Sequence, residues 1–260
     1  MRKWNPSPDR SVTIAEEGGV RSLHIGGLAI QSAMRMSAPG QLELHYTRAM
    51  MGFLLLHPEP RRVLMIGLGG GSIAKYIHER MPSARMTVVE IRREVVAAAR
   101  SFFSLPEDDS RLEVIVGDGA RYVPEHPGCA DVLLLDGFEN GRQPSVLCSQ
   151  AFYDAAFRCL RPGGVLAVNF MAFDRKLDTL CARLEKSFGG RVVQLEAADR
   201  VNIIALALRD GPAKISIREL RDRAIALKGR FGLPFDKMVS SISQRTEHAG
   251  RYLVLREEGQ

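Results

Sequence analysis

The sequence predicts an α/β protein: a small N-terminal β module, a seven-stranded sheet of Rossmann-like design, and a C-terminal helical tail. Three observations carry this. Short apolar runs recur at 63–67 (VLMIG), 86–90 (MTVVE), 112–116 (LEVIV), 132–136 (VLLLD) and 165–169 (VLAVN), too brief for buried helices and too apolar for strands covered on one side only. Stretches with helical spacing fall between them at 73–80, 93–103, 151–160 and 176–188, the alternation expected of parallel βαβ units. The first run passes directly into a glycine-rich turn, GLGGGS, and then a helix.

Taken in order, 11–31 (SVTIAEEGGVRSLHIGGLAIQ) reads as an antiparallel meander, because β-branched, partly alternating runs are interrupted by glycine pairs. The segment 41–56 (QLELHYTRAMMGFLLL) has apolar residues at helical spacing and is stopped by His57-Pro58-Glu59-Pro60. After the fifth apolar run, 192–197 and 202–208 follow with no helix between them and close the sheet as a hairpin, and Gly211-Pro212 ends the unit. In the remainder, RELRDRAIALKGRFG is the main helix candidate. The expected division is therefore 1–57 (β module and connecting helix), 58–210 (Rossmann-like domain) and 211–260 (basic extension).

Composition narrows the function classes. Of the 260 residues, 45% are hydrophobic and 25% charged, which excludes a disordered or collagen-like chain. The formal charge of +6 invites a nucleic-acid partner, yet 61–208 carries 19 basic against 18 acidic residues, while 209–260 carries 11 against 7. The excess sits in the tail, where Glu219, Asp222 and Asp236 interrupt the basic residues and no aromatic platform repeats, so a solvated helix face is the expected reading rather than a nucleic-acid site. No run approaches the roughly 18 apolar residues of a membrane helix. The polar start, 1–10, does not read as a secretory signal, and the cytoplasm is the expected compartment. Cys129, Cys148, Cys159 and Cys181 form no CxxC pair and the six histidines no HxxxH pattern, so reduced thiols and no metal site are expected.

The candidate site lies at the ends of the strands. Gly67, Gly69 and Gly71 let backbone approach a ligand beside a helix N-terminus. Glu90 ends the second strand, where a nucleotide-binding sheet holds ribose hydroxyls. Asp118, followed by Gly119, lies just beyond the third strand, and Asp136 ends the fourth. A lone aspartate at a strand end is usually a helix cap, but carboxylates in register after a G-x-G turn point to an adenosyl sulfonium ligand rather than a dinucleotide.

With these residues in place, 14–208 resembles the spermidine synthases, the polyamine aminopropyltransferases. The resemblance rests on HPEPRRVLMIGLGGGS, VVEI, RLEVIVGDGARYV, and DVLLLDGFE followed by LCSQAFYDAAFRCLRPGGVLAVN. It implies a methyltransferase-like Rossmann domain, decarboxylated S-adenosylmethionine as donor, a small-molecule amine as acceptor, and a homodimer. It also implies that Asp136 is the general base and amine anchor and Glu139 its helper, in place of the family's two aspartates. Gln31, Gly67, Gly69, Gly70, Gly71, Glu90, Asp118, Gly119 and Asp136 would hold the donor, and Glu43, Tyr46 and Asn169 the acceptor. Two departures stand out: Gly70 replaces the aspartate that meets the donor's amino group, and QLELHYT replaces the diamine-gripping motif Asp-Glu-x-x-Tyr-His-Glu. The first leaves open methyl transfer from S-adenosylmethionine itself, and the second a nucleoside-binding or interaction protein without catalysis.

Overall fold

The structure, a computed structural model, describes residues 11–27, 29–138 and 142–255. Strands β1 (Val12–Glu17), β2 (Val20–Ile25) and β3 (Ile30–Arg35) form the N-terminal antiparallel meander. Helix α1 (His45–Met50) then tightens into a 3₁₀ segment, Met51–Leu55. The apolar run from Met50 to Leu55 is buried on every side, which suits a plug between layers rather than a surface helix.

The central sheet contains β4 (Arg62–Ile66), β5 (Arg85–Glu90), β6 (Leu112–Val116), β7 (Ala130–Leu135), β8 (Leu160–Met171), β9 (Val192–Glu196) and β10 (Asn202–Leu208) in the order β6-β5-β4-β7-β8-β10-β9. The first five run parallel, and β10 is antiparallel to both neighbours. Side chains alternate between faces: Met65 and Leu134 join one core with Leu54, Ile77 and Phe235, while Leu64, Ile66, Leu133 and Leu135 join another with Phe152 and Tyr153. The helices covering the sheet are α2 (Ser72–Arg80), α3 (Arg93–Phe102), α4 (Gly119–Glu125), α5 (Gln150–Cys159) and α6 (Leu177–Ser187). Chain order reverses between β4 and β7, so their carboxyl ends open a crevice at the topological switch point.

The extension holds β11 (Lys214–Ser216), α7 (Ile217–Phe231), α8 (Phe235–Arg245), β12 (His248–Ala249) and β13 (Tyr252–Val254). It is helical, as expected, but also carries a three-stranded sheet ordered β11-β13-β12. Phe235, Met238, Val239 and Ile242 bury into the same core as Leu54, Leu195 and Leu206, and the Tyr76 hydroxyl donates to the Phe231 carbonyl at 2.7 Å. Several of its basic groups are paired: Arg230 with Glu59, Lys228 with Asp236 and Arg218 with Asp222. Among the described residues, no helix is long and apolar enough to cross a membrane.

Candidate active site

A cavity of about 650 Å³ occupies the switch-point crevice. Its floor is the loops after β4, β5 and β7, one wall comes from β8 and β10, and Gln31 of β3 and Tyr46 of α1 close it from above.

The glycine turn is shaped by steric necessity at Gly67. This residue has φ +92°, and a Cβ there would lie 2.4 Å from the Asp136 carbonyl oxygen. The ends of β4 and β7 thus touch backbone to backbone, and a side chain at 67 would push the Asp136 loop out of place. Leu68 donates its N–H to Glu90 Oε2 at 2.9 Å, and Glu90 Oε1 accepts from the Arg92 N–H at 2.9 Å. Glu90 is 7% exposed, so it is both a cavity wall and the strut joining the turns after β4 and β5. Burial raises its carboxyl pKa, opposed by those backbone hydrogen bonds.

Asp118 is a helix cap that also borders the cavity. Its Oδ1 caps α4 by accepting from the Ala120 N–H at 2.8 Å, and the residue lines the cavity. Gly119 follows on the cavity wall, where a Cβ would run into the Ile66 side chain.

Asp136 sits where the walls converge. Its Oδ1 accepts from Asn169 Nδ2 at 2.8 Å, and the Tyr46 hydroxyl lies against its carboxylate while also reaching the Gln31 carbonyl oxygen at 3.2 Å. Burial is the largest influence on Asp136 and pushes its pKa to about 7, helped by the Glu90 charge and resisted by the hydrogen bonds from Asn169 and Tyr46. Burial, then the Asp136 charge, holds the Tyr46 phenol well above its ordinary range. A carboxyl poised near neutrality in a cleft is the property a general base requires.

The structure thus brings Gln31, Tyr46, Gly67, Gly69, Glu90, Asp118, Gly119, Asp136 and Asn169 onto one cavity. Three others expected there, Gly70, Gly71 and Glu43, do not line it. Gly70 and Gly71 lie behind the turn: a Cβ on Gly70 would meet the Phe103 ring and Ser32 Oγ, each at 2.8 Å, and one on Gly71 would meet Leu105. A side chain at 70 would therefore need Phe103 and Ser32 to shift. Glu43 turns away to pair with the Arg35 guanidinium. Glu139 falls outside the described residues. Three further polar residues line the cavity unannounced by the sequence reading: Arg92 after β5, Asp199 before β10, and Asn202 at the start of β10. The only available hint was polarity beside an apolar run, which many surface positions share.

A doubly wound sheet with a carboxylate-lined cavity at its switch point is the arrangement in which open α/β folds take their ligands. Comparison with known proteins takes this further. Residues 43–180 match the family model described as the spermine/spermidine synthase domain. The chain is 41% identical to a polyamine aminopropyltransferase from Chromobacterium violaceum, over 94% of each chain, and 35% identical to one from Neisseria meningitidis, over 94% of this chain and 93% of that one. Among solved structures, a probable spermidine synthase from Corynebacterium glutamicum aligns with a TM-score of 0.70 at 22% identity, covering 92% of this chain and 93% of that one. Human methyltransferase-like protein 13, in complex with SAH, aligns at 0.66 and 26% identity, covering 74% of this chain and 94% of that one. The chain belongs to the spermine/spermidine synthase family.

Proposed function

We propose that the protein is an aminopropyltransferase of polyamine biosynthesis that alkylates a small-molecule amine with decarboxylated S-adenosylmethionine. The observation that carries the site assignment is the Asp136 carboxylate, held by Asn169 and Tyr46 at the crevice and poised near neutral pH.

The chemistry follows from charge. An amine in water is mostly an ammonium, which has no lone pair to attack with, so the site must bind the cation and accept its proton. Ionised Asp136 does both. The freed nitrogen forms a bond to the methylene beside the sulfonium, the carbon–sulfur bond breaks with its electrons going to sulfur, and neutral methylthioadenosine departs. Glu90 is assigned to the ribose hydroxyls, Asp118 to the adenine amino group, and the Gly67–Gly69 backbone to close approach of the nucleoside. Among the described residues, four carboxylates, Glu90, Asp118, Asp136 and Asp199, face the cavity against the single guanidinium of Arg92. Such a field favours a sulfonium donor and an ammonium acceptor. The reading extends to a homodimer in the cytoplasm.

A second reading, methyl transfer from S-adenosylmethionine, draws on the likeness to human methyltransferase-like protein 13, solved in complex with SAH. Titration calorimetry with methylthioadenosine tests the nucleoside assignment common to both. Saturable one-site binding is expected, and an absence of heat at every concentration would overturn it.

A further inference from the structure

Two amides interrupt an apolar part of the sheet. Asn169 on β8 and Asn202 on β10 are 2% and 6% exposed, among Val168, Phe170, Ile203 and Ile204. In the antiparallel register Ile204 stands opposite Asn169, which makes Asn202 its diagonal neighbour on the same face. A sheet interior does not need such groups, and burying an amide is unfavourable unless it is bonded. These two are bonded in series: Asn202 Nδ2 donates to Asn169 Oδ1 at 2.9 Å, and Asn169 Nδ2 donates to Asp136 Oδ1 at 2.8 Å.

The series has a direction. A carboxamide presents donors on one side and an acceptor on the other. Because Asn202 turns its NH₂ toward Asn169, the Asn169 oxygen faces Asn202 and its NH₂ faces Asp136. The reverse orientation would oppose NH₂ to NH₂ at one contact and carbonyl oxygen to carboxylate at the other.

We propose that Asn202 is a positioning residue for the reaction: acting through Asn169, it fixes a donated hydrogen bond on Asp136, holding the carboxylate ionised with its remaining lone pairs turned to the incoming ammonium. The functional part rests on the assignment of Asp136 as proton acceptor. A hydrogen bond to the charged form favours that form, so losing the outer amide lets Asn169 rotate and weakens the hold on the ionised state. The other titratable or charged groups facing the cavity, among the described residues, are Tyr46 on α1, Glu90 and Arg92 at the end of β5, Asp118 before α4 and Asp199 before β10. The Asn202 NH₂ donates to Asn169 Oδ1 and, at 3.4 Å, to Met171 Sδ.

The test is a carbon NMR titration of the Asp136 carboxyl, with its resonance identified by its loss in Asp136→Asn, combined with the pH profile of kcat/KM. Asn202→Leu removes the donor at similar volume, and Asn202→Asp keeps the shape while replacing NH₂ by oxygen. Both are expected to raise the Asp136 titration by about one pH unit or more, a tenfold loss of ionised form on the acid side. The acid limb of kcat/KM should move by the same amount, with methylthioadenosine affinity unchanged within about threefold. If Asn202→Leu does not fold, Asn202→Ala carries the test, since it removes the donor without adding the charge by which an aspartate would raise Asp136 directly. An unmoved titration in every folded variant, or a rate lowered equally at all pH values with the limb in place, overturns the proposal. If the titration moves but Asp136→Asn still transfers normally, the orienting role stands and the assignment of Asp136 as base fails.

Discussion

Asp136→Asn is expected to lower kcat by about 10³-fold, within the range of roughly 10²–10⁴ contributed by a positioned general base. Affinity for methylthioadenosine should change by less than about threefold, because the nucleoside contacts assigned to Glu90, Asp118 and the glycine turn remain. Amide and carboxylate have the same shape, so the loss falls on proton acceptance rather than on packing. In the parent protein, only ionised Asp136 accepts a proton. Its folded pKa is about 7, so kcat/KM should rise with pH through that value and level off above it. The stability effect has the opposite direction. Folding raises this pKa from its ordinary 3.8 to about 7, so Asp136's contribution to stability is complete below pH 3.8 and is lost as pH rises through 7. At pH 8 the asparagine variant should melt no lower than the parent, with the difference closing in acid. Rate measurements and melting curves at pH 5 and pH 8 check both. A variant that keeps more than a tenth of the parent rate removes Asp136 from the mechanism.

Glu90→Gln carries the second large effect, on binding and stability together. Both carboxylate oxygens accept backbone N–H groups, from Leu68 and Arg92, each at 2.9 Å. Glutamine has one oxygen for these two donors, and its NH₂ confronts the other at a residue only 7% exposed. An unsatisfied buried donor costs about 1–3 kcal/mol. At about 2–4 °C per kcal/mol for a domain of this size, Tm should fall by roughly 2–12 °C. The contact proposed to the ribose loses its charge, and the glycine turn loses its strut, so methylthioadenosine affinity should weaken by about 30–100-fold, or about 2–3 kcal/mol. Calorimetry and thermal unfolding measure the two separately. Unchanged affinity would remove Glu90 from the nucleoside site, whatever happened to Tm.

Much of the sheet was legible because its strands are short, apolar and covered on both faces, a pattern that survives without any knowledge of packing. Helix α4 was not, since seven residues with Pro124 inside show no helical period. The extension's strands are two or three residues long, below the length at which alternation can be seen. Strand β8 starts at Leu160, before the expected 165, because the Pro162-Gly163-Gly164 segment stays in the sheet, with Gly163 N–H bonded to the Arg209 carbonyl.

The site divides along similar lines. Glu90, Asp118 and Asp136 could be found because strand ends are readable and the fold gathers them. The direction of a side chain is not readable. Glu43 has the residue type the acceptor site called for, but Arg35 on the neighbouring β3 takes its carboxylate. Gly70 was read as a missing partner for the donor, whereas Phe103 and Ser32 already fill the space a side chain would need. Asn202 was invisible because an asparagine at the edge of NIIALAL looks like the start of a strand, and its bond to Asn169 depends on a register that pairing alone reveals.

The most direct measurement is product analysis by mass spectrometry after incubation of the purified protein with a linear diamine and, in parallel, decarboxylated S-adenosylmethionine or S-adenosylmethionine. An amine lengthened by one aminopropyl unit, with methylthioadenosine in equal amount and only from the decarboxylated donor, is the result expected of an aminopropyltransferase. A methylated amine formed from the carboxylated donor, or no transfer from either, would contradict it.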